Sequence, residues 1–249
     1  MELEASGLQI GYGEHVIVNQ MDVSIARDKI TTIIGPNGSG KSTLLKALTR
    51  LIRYQKGNVL LDGCDIQTMK PKALAKKLGV LPQIHTAPSD FLVKELVGYG
   101  RMPHQKLMAG KRAMEVTGTW KFRDKSIYEI SGGETQRVWI ATVLAQKPEI
   151  MFLDEPTTYL DISHQLETMN LVKKLNRETG IGVVMVLHDL AQAMEVSDHV
   201  IVIRDGEKYD EGAPQNVITS KMMKDVYQVE CEILNVPGRE KPLLAYAAI

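Results

Sequence analysis

The sequence predicts an α/β protein: a mainly parallel sheet, an N-terminal antiparallel β subdomain and a small helical insertion. Three observations carry this expectation. Short β-branched runs alternate with amphipathic stretches of helical period, which implies βαβ units. The first thirty residues and the stretch 205–212 read instead as antiparallel hairpins, with Asp205-Gly206 a good turn pair in the second. Segment 84–130 has no convincing strand, only helix-like pieces broken at Gly98, Gly100, Pro103 and Gly110.

The strand candidates are Ile30–Ile34, Gly79–Leu81, Ile150–Leu153, Gly182–Leu187 and Val200–Ile203. Their continuous apolar character, without alternation, suits strands covered on both faces. The helix candidates are Lys41–Leu51, Gly132–Gln146 and Asp161–Leu175. In the last, Ile162, Leu166, Met169, Val172 and Leu175 recur at three and four residues, so they share one face. The expected organisation is a single domain over 1–249. Its core is 1–83 with 131–229, its helical subdomain 84–130, and its tail 230–249 adds one or two terminal strands.

Composition removes several function classes. The 249 residues carry 30 basic and 30 acidic side chains, so the net charge is zero and a nucleic-acid partner is not expected. Only 5% are aromatic, too few for a base-stacking platform. Cys64 and Cys231 stand far apart in no metal-binding pattern and read as reduced structural thiols. Residues 1–7 carry Glu2 and Glu4 and lack the order of a secretory signal. The strongest charge-free stretch, 181–187, is seven residues long, whereas a membrane span needs about twenty. A cytoplasmic protein that can still sit on a membrane partner is expected.

Gly35-Pro36-Asn37-Gly38-Ser39-Gly40-Lys41-Ser42, followed by Thr43, matches the phosphate-loop pattern GxxxxGK[ST] between a strand and a helix. From residue frequencies, the pattern arises by chance in about one per cent of chains this long. Its glycines let successive N–H groups turn toward phosphate oxygens, and the helix N-terminus adds partial positive charge. Lys41 is placed for the β and γ phosphates and the Ser42 hydroxyl for Mg²⁺. The chain is therefore expected to bind a nucleoside triphosphate. Residues 150–155, an apolar strand ending in Asp154-Glu155, supply the carboxylates such chemistry needs. Asp154 would hold the Mg²⁺ shell, and Glu155 would orient or deprotonate the attacking water.

Ser131-Gly132-Gly133-Glu134 opens a helix and fits a capping box, Ser at the cap and Glu three residues on. Two glycines just after a cap are poor helix formers, and they suit close backbone approach to an anion. With Ile130 before the tetrad and Thr135-Gln136-Arg137 after it, the chain resembles the ATP-binding-cassette (ABC) ATPases at their signature motif. Further residues sit where that family has its motifs, in the same order. Tyr12 matches the adenine-stacking aromatic and Gln83 the glutamine loop. Tyr159-Leu160-Asp161 matches the loop after the catalytic acid, and His188 the switch histidine. The resemblance runs from about Leu3 to Val229.

A narrower likeness rests on residues 154–162, His164-Gln165, residues 100–104, residues 138–141 and His188-Asp189-Leu190. These are similar to the ATPases of iron–siderophore, haem and cobalamin importers. Two departures stand out: Glu134 takes a place where many members have glutamine, and only 47 residues separate Gln83 from Ser131. The shortage falls near Ala109–Arg112.

The resemblance implies a head-to-tail homodimer closing around two ATP molecules with Mg²⁺. One copy would supply Tyr12, the phosphate loop, Asp154, Glu155 and His188, with Gln83 sensing both Mg²⁺ and a docked membrane permease. The other would supply Ser131–Glu134 against the γ-phosphate, and Asp161 is also expected among the nucleotide-binding residues. A periplasmic or surface binding protein would take part indirectly, from the far side of the permease. The permease face is expected on the insertion, with Ile84, Phe91, Leu92, Leu96, Tyr99 and Met102 as its wall and Arg101 and His104 at its rim. On that basis Arg101→Glu should spare basal turnover and uncouple it from the permease. Two other readings stay open: a soluble ATPase of the same superfamily serving iron–sulfur cluster scaffolds, and, more weakly, a chromosome-associated ATPase. The uninterrupted cassette and zero net charge speak against the latter. Co-purification separates a permease from soluble partners.

Overall fold

The computed structural model describes residues 2–88, 91–104 and 110–246. In chain order, β1 (Glu2–Tyr12), β2 (His15–Ala26) and β3 (Ile30–Ile34) lead into α1 (Lys41–Leu48). Next come β4 (Lys56–Leu61), β5 (Cys64–Asp65), α2 (Pro71–Lys77), β6 (Leu78–Leu81), α3 (Val93–Tyr99) and α4 (Lys111–Val116). Then follow α5 (Gly132–Ala145), β7 (Ile150–Asp154), α6 (Ile162–Thr179), β8 (Gly182–Val186) and α7 (Leu190–Val196). The chain finishes with β9 (His199–Arg204), β10 (Glu207–Gly212), α8 (Pro214–Val217), α9 (Ser220–Met222), β11 (Cys231–Leu234) and β12 (Leu243–Tyr246).

The chain divides into two compact units, one made of everything up to Gln67 and from Val184 onward, the other of Thr68–Val183. In the first unit, an antiparallel sheet runs in the order β2-β1-β4-β5. Its strands alternate buried and exposed residues, as a sheet with one wet face must. Beside it, β3 pairs parallel with β9, and β9 pairs antiparallel with β10 across the Asp205-Gly206 turn. Every residue of β3 is buried, the polar Thr31 and Thr32 included. Both cysteines are free thiols.

In the second unit, β6 and β7 pair parallel. The described part of segment 84–130 holds α3, α4 and three single turns around Met102–His104, Trp120–Phe122 and Ile127–Glu129, joined by loops and one isolated antiparallel bridge between Leu92 and Ser126. Val93, Leu96 and Val97 of α3 pack with Ala113 and Met114 of α4 and Val138 and Ala141 of α5 in one small core. Ala109, where the insertion was expected to be short, lies outside the described residues.

Helix ends differ from the periodicity reading for identifiable reasons. α1 stops at Leu48, short of Leu51, where Thr49 turns its hydroxyl onto the Leu45 carbonyl (3.0 Å) and Arg50 takes a positive φ of 58°. α6 runs on to Thr179, because Gly180 at φ 65° supplies the left-handed stop. Its apolar face is only half used: Met169, Val172 and Leu175 are buried, while Ile162 is 77% and Leu166 56% exposed.

Candidate active site

Within the first unit, β3 delivers the chain into a glycine-bent loop. Gly35, Gly38 and Gly40 hold φ of 153°, 78° and 100°, where other residues are strained. At Gly35 a Cβ would lie 2.1 Å from the Ile203 carbonyl oxygen and 2.7 Å from Ser39 Oγ, so the loop closes only around glycine. Gly40 is the N-cap of α1 and brings no side chain to the first-turn N–H groups, which suits them to an anion.

Lys41 is 5% exposed, and its ammonium curls back to donate to the carbonyls of Gly35 (2.9 Å) and Pro36 (2.8 Å). Ser39 Oγ is buried with no hydrogen-bond partner among the described residues. Ser42 and Thr43 are half-buried in the first turn of α1, while Asn37 and Gly38 are open to solvent. A buried ammonium, a helix N-terminus without a side-chain cap and an orphaned hydroxyl fit a polyphosphate. Tyr12 ends β1 with its side chain exposed. His188 is exposed just past β8, and Asp189 caps α7 through the N–H groups of Ala191 (2.8 Å) and Gln192 (3.1 Å).

Within the second unit, β7 ends on Asp154, 2% exposed, and the next residue takes the left-handed φ of 54°. Such a conformation at a non-glycine costs on the order of 1–3 kcal/mol and clusters at functional sites. That residue is Glu155, whose Oε2 accepts from Gln83 Nε2 (2.7 Å) and Thr158 Oγ1 (3.1 Å). The fold thus brings together two expected catalytic residues 72 positions apart. Thr158 was missed by the sequence reading, although a hydroxyl three residues after the acid could have marked it.

The signature tetrad forms the expected capping box. Glu134 Oε2 accepts from the Ser131 N–H and hydroxyl, both at 3.0 Å, and the Glu134 N–H returns to Ser131 Oγ at 3.4 Å. The Ser131 backbone N–H is the main reason the Glu134 carboxyl sits below its ordinary range. The two glycines differ in use. A Cβ on Gly132 would meet nothing within 4 Å, but one on Gly133 would lie 2.0 Å from the His164 ring. Gly133 is therefore required by helix packing of α5 on α6, a reason separate from anion approach. Asp161 caps α6, its Oδ1 accepting from the His164 N–H (2.8 Å) and lying 2.9 Å from His164 Nδ1. The His164 backbone N–H, first of its causes, holds the Asp161 carboxyl below its ordinary range.

The expected rim of the permease face needs correction. Arg101 is 5% exposed and donates from Nη1 to the Ala145 carbonyl (3.0 Å), while His104 Nε2 lies 2.8 Å from the Gln146 carbonyl oxygen. Both side chains close the C-terminal end of α5, where cations and donors satisfy the last carbonyls. Leu96 is also core, not wall. Ile84, Tyr99 and Met102 remain exposed, and Tyr99 stacks on Phe91 with centroids 5.2 Å apart. Arg101→Glu is thus expected to bury an unpaired carboxylate against a helix C-terminus, costing about 3–5 kcal/mol. Urea denaturation measures it, and a midpoint equal to the parent's would restore Arg101 to the surface.

A family model described as ABC transporter matches residues 18–158, more than half the chain. The chain belongs to the ABC transporter family. Among its relatives, the iron(3+)-hydroxamate import ATP-binding protein FhuC of Bacillus subtilis (strain 168) is 44% identical, covering 97% of this chain and 93% of its own. The ferric enterobactin transport ATP-binding protein FepC of Escherichia coli (strain K12) is 43% identical over the same shares. A structure described as an inward-facing conformation of a putative metal-chelate type ABC transporter superposes with a TM-score of 0.84 at 21% identity, covering 98% of this chain and 96% of that one. That likeness bears on the fold alone. The ATP-binding subunits of ABC transporters are ATPases, so this ABC transporter chain binds and hydrolyses ATP. Among its described residues no helix is long and apolar enough to cross a membrane.

Proposed function

We propose that this chain powers import of an iron–siderophore or related metal chelate, hydrolysing ATP on the cytoplasmic face of a membrane permease. The match at 44% identity over 97% of the chain to a hydroxamate-siderophore import subunit carries the proposal. The enterobactin relative supports the same cargo class, and neither favours a scaffold-assembly ATPase.

The residues divide the work. Backbone N–H groups of 35–43 and the Lys41 ammonium bind the phosphates, and Tyr12 stacks on the base. Ser42, Gln83 and Asp154 offer the oxygen donors that a small hard cation prefers: a hydroxyl, an amide and a carboxylate. Bound Mg²⁺ would neutralise charge on the β and γ phosphate oxygens. Glu155 orients or deprotonates the attacking water. Its Oε2 accepts from Gln83 and Thr158, so a shift of Gln83 frees an acceptor for that water. His188 reads the γ-phosphate. Ser131–Glu134 and Asp161 serve the nucleotide of a second copy, so each site is completed by a homodimer.

Segment 84–130 acts as the helical subdomain of a single cassette. Its exposed Ile84, Tyr99 and Met102 meet the permease. Co-expression decides between the readings: the tagged chain should carry a polytopic membrane protein with it through detergent purification. Recovery with soluble scaffold proteins instead would overturn the importer reading.

A further inference from the structure

Within the second unit, β6 ends at Leu81, and residues 82–88 after it form neither helix nor strand. Without a hydrogen-bonded ladder, the place of such a segment depends on what its side chains and carbonyls bind. Its second residue is Gln83, whose Nε2 reaches Glu155 Oε2 at 2.7 Å. Holding that bond means fixing the backbone at 83 against the conformational freedom of a loop. Ile84, next in the chain, is 83% exposed and does not anchor it.

His85 does, from two directions. Its Nδ1 lies 3.0 Å from the Pro82 carbonyl oxygen, three residues back. A carbonyl only accepts, so Nδ1 carries the hydrogen and donates it. The bond closes a turn with Gln83 inside. On the α5 side, the His85 ring meets Trp139 edge to face, with centroids 4.7 Å apart and planes at 63°. That is a favoured arrangement for two rings. Trp139 packs in turn against the small core shared by α3, α4 and α5, so the histidine bears on a fixed surface. A second tie follows at Ala87, which packs on the same core and whose carbonyl accepts from the Tyr128 hydroxyl at 2.7 Å. Tyr128 sits in the single turn Ile127–Glu129, itself capped by Ser126. The loop is therefore pinned just beyond Gln83, to residues on either side of the tetrad Ser131–Glu134.

We propose that His85 is a positioning residue for hydrolysis: by clasping Pro82 and Trp139 it holds the loop where Gln83 meets Glu155. The inference rests on the nucleotide reading above, in which Glu155 orients or deprotonates the attacking water. In this role His85 acts only through Gln83, which gives it a distinct kinetic signature. His85→Ala removes the donor and the ring together. It should lower kcat about threefold to tenfold, the effect of one hydrogen bond, with KM for ATP within about twofold of the parent. In a Gln83→Ala background the same change should cost less than about twofold, because the contact it serves is already gone. In a Trp120→Phe background Trp139 is the one remaining tryptophan. There His85→Ala should move the emission to longer wavelength as water reaches the bared indole, at an unchanged melting temperature.

A parental kcat in His85→Ala would overturn the proposal. So would a full further loss of kcat in the Gln83→Ala background, or a loss that tracks a lower melting temperature, since either marks a structural role alone. Turnover that survives Lys41→Ala would bring down the nucleotide reading instead. The emission measurement needs no nucleotide, so an unshifted Trp139 spectrum overturns the positioning role even then.

Discussion

Lys41→Ala is expected to reduce ATP turnover below about one per cent of the parent and to weaken ATP binding strongly. The side chain is buried at the start of α1, with its ammonium on the Gly35 and Pro36 carbonyls. Those neutral acceptors give way to phosphate, which carries full negative charge and bonds an ammonium more strongly. Removing a single preorganised donor from a site of developing charge typically costs about 10²–10³ in rate, and Lys41 also supplies ground-state attraction. Alanine is the best helix former, so α1 keeps its first turn. Phosphate release and fluorescent-nucleotide binding read the effect, with circular dichroism confirming the fold. A folded variant with parental turnover would falsify the assignment of Lys41.

The sequence exposed most of the frame because its signals are local. Residues 30–34, 150–154 and 182–186 are strands in which every side chain is buried, and such runs can be read without partners. The capping boxes and the phosphate loop are equally local: their glycines and caps act within a few residues. What escaped depends on approach between distant segments. The role of Gly133 is fixed by His164, thirty-one positions on. Arg101 shows the opposite failure. A charged residue in a glycine-flanked run reads as surface, yet its fork satisfies the end of a helix that begins thirty-one residues later.

Glu155→Gln should bind ATP, hydrolyse it about 10²-fold or more slowly, and accumulate as a closed dimer. The carboxylate is the group proposed to orient the attacking water or take its proton, and general-base contributions run about 10²–10⁴. Its replacement is conservative for the chain. The backbone there is already left-handed at φ 54°, so glutamine meets the same strain as glutamate, and an amide oxygen can still accept from Gln83 or Thr158. Removing a negative charge from beside the γ-phosphate also lowers the repulsion that closure must overcome. Binding and dimerisation should therefore survive or improve while turnover collapses, which a misfolded variant could not mimic. Size-exclusion chromatography with ATP, with and without Mg²⁺, should show a dimer that the parent forms only transiently. A variant that stays monomeric with ATP and turns it over at the parental rate would remove Glu155 from the chemistry and leave its bond to Gln83 a structural contact.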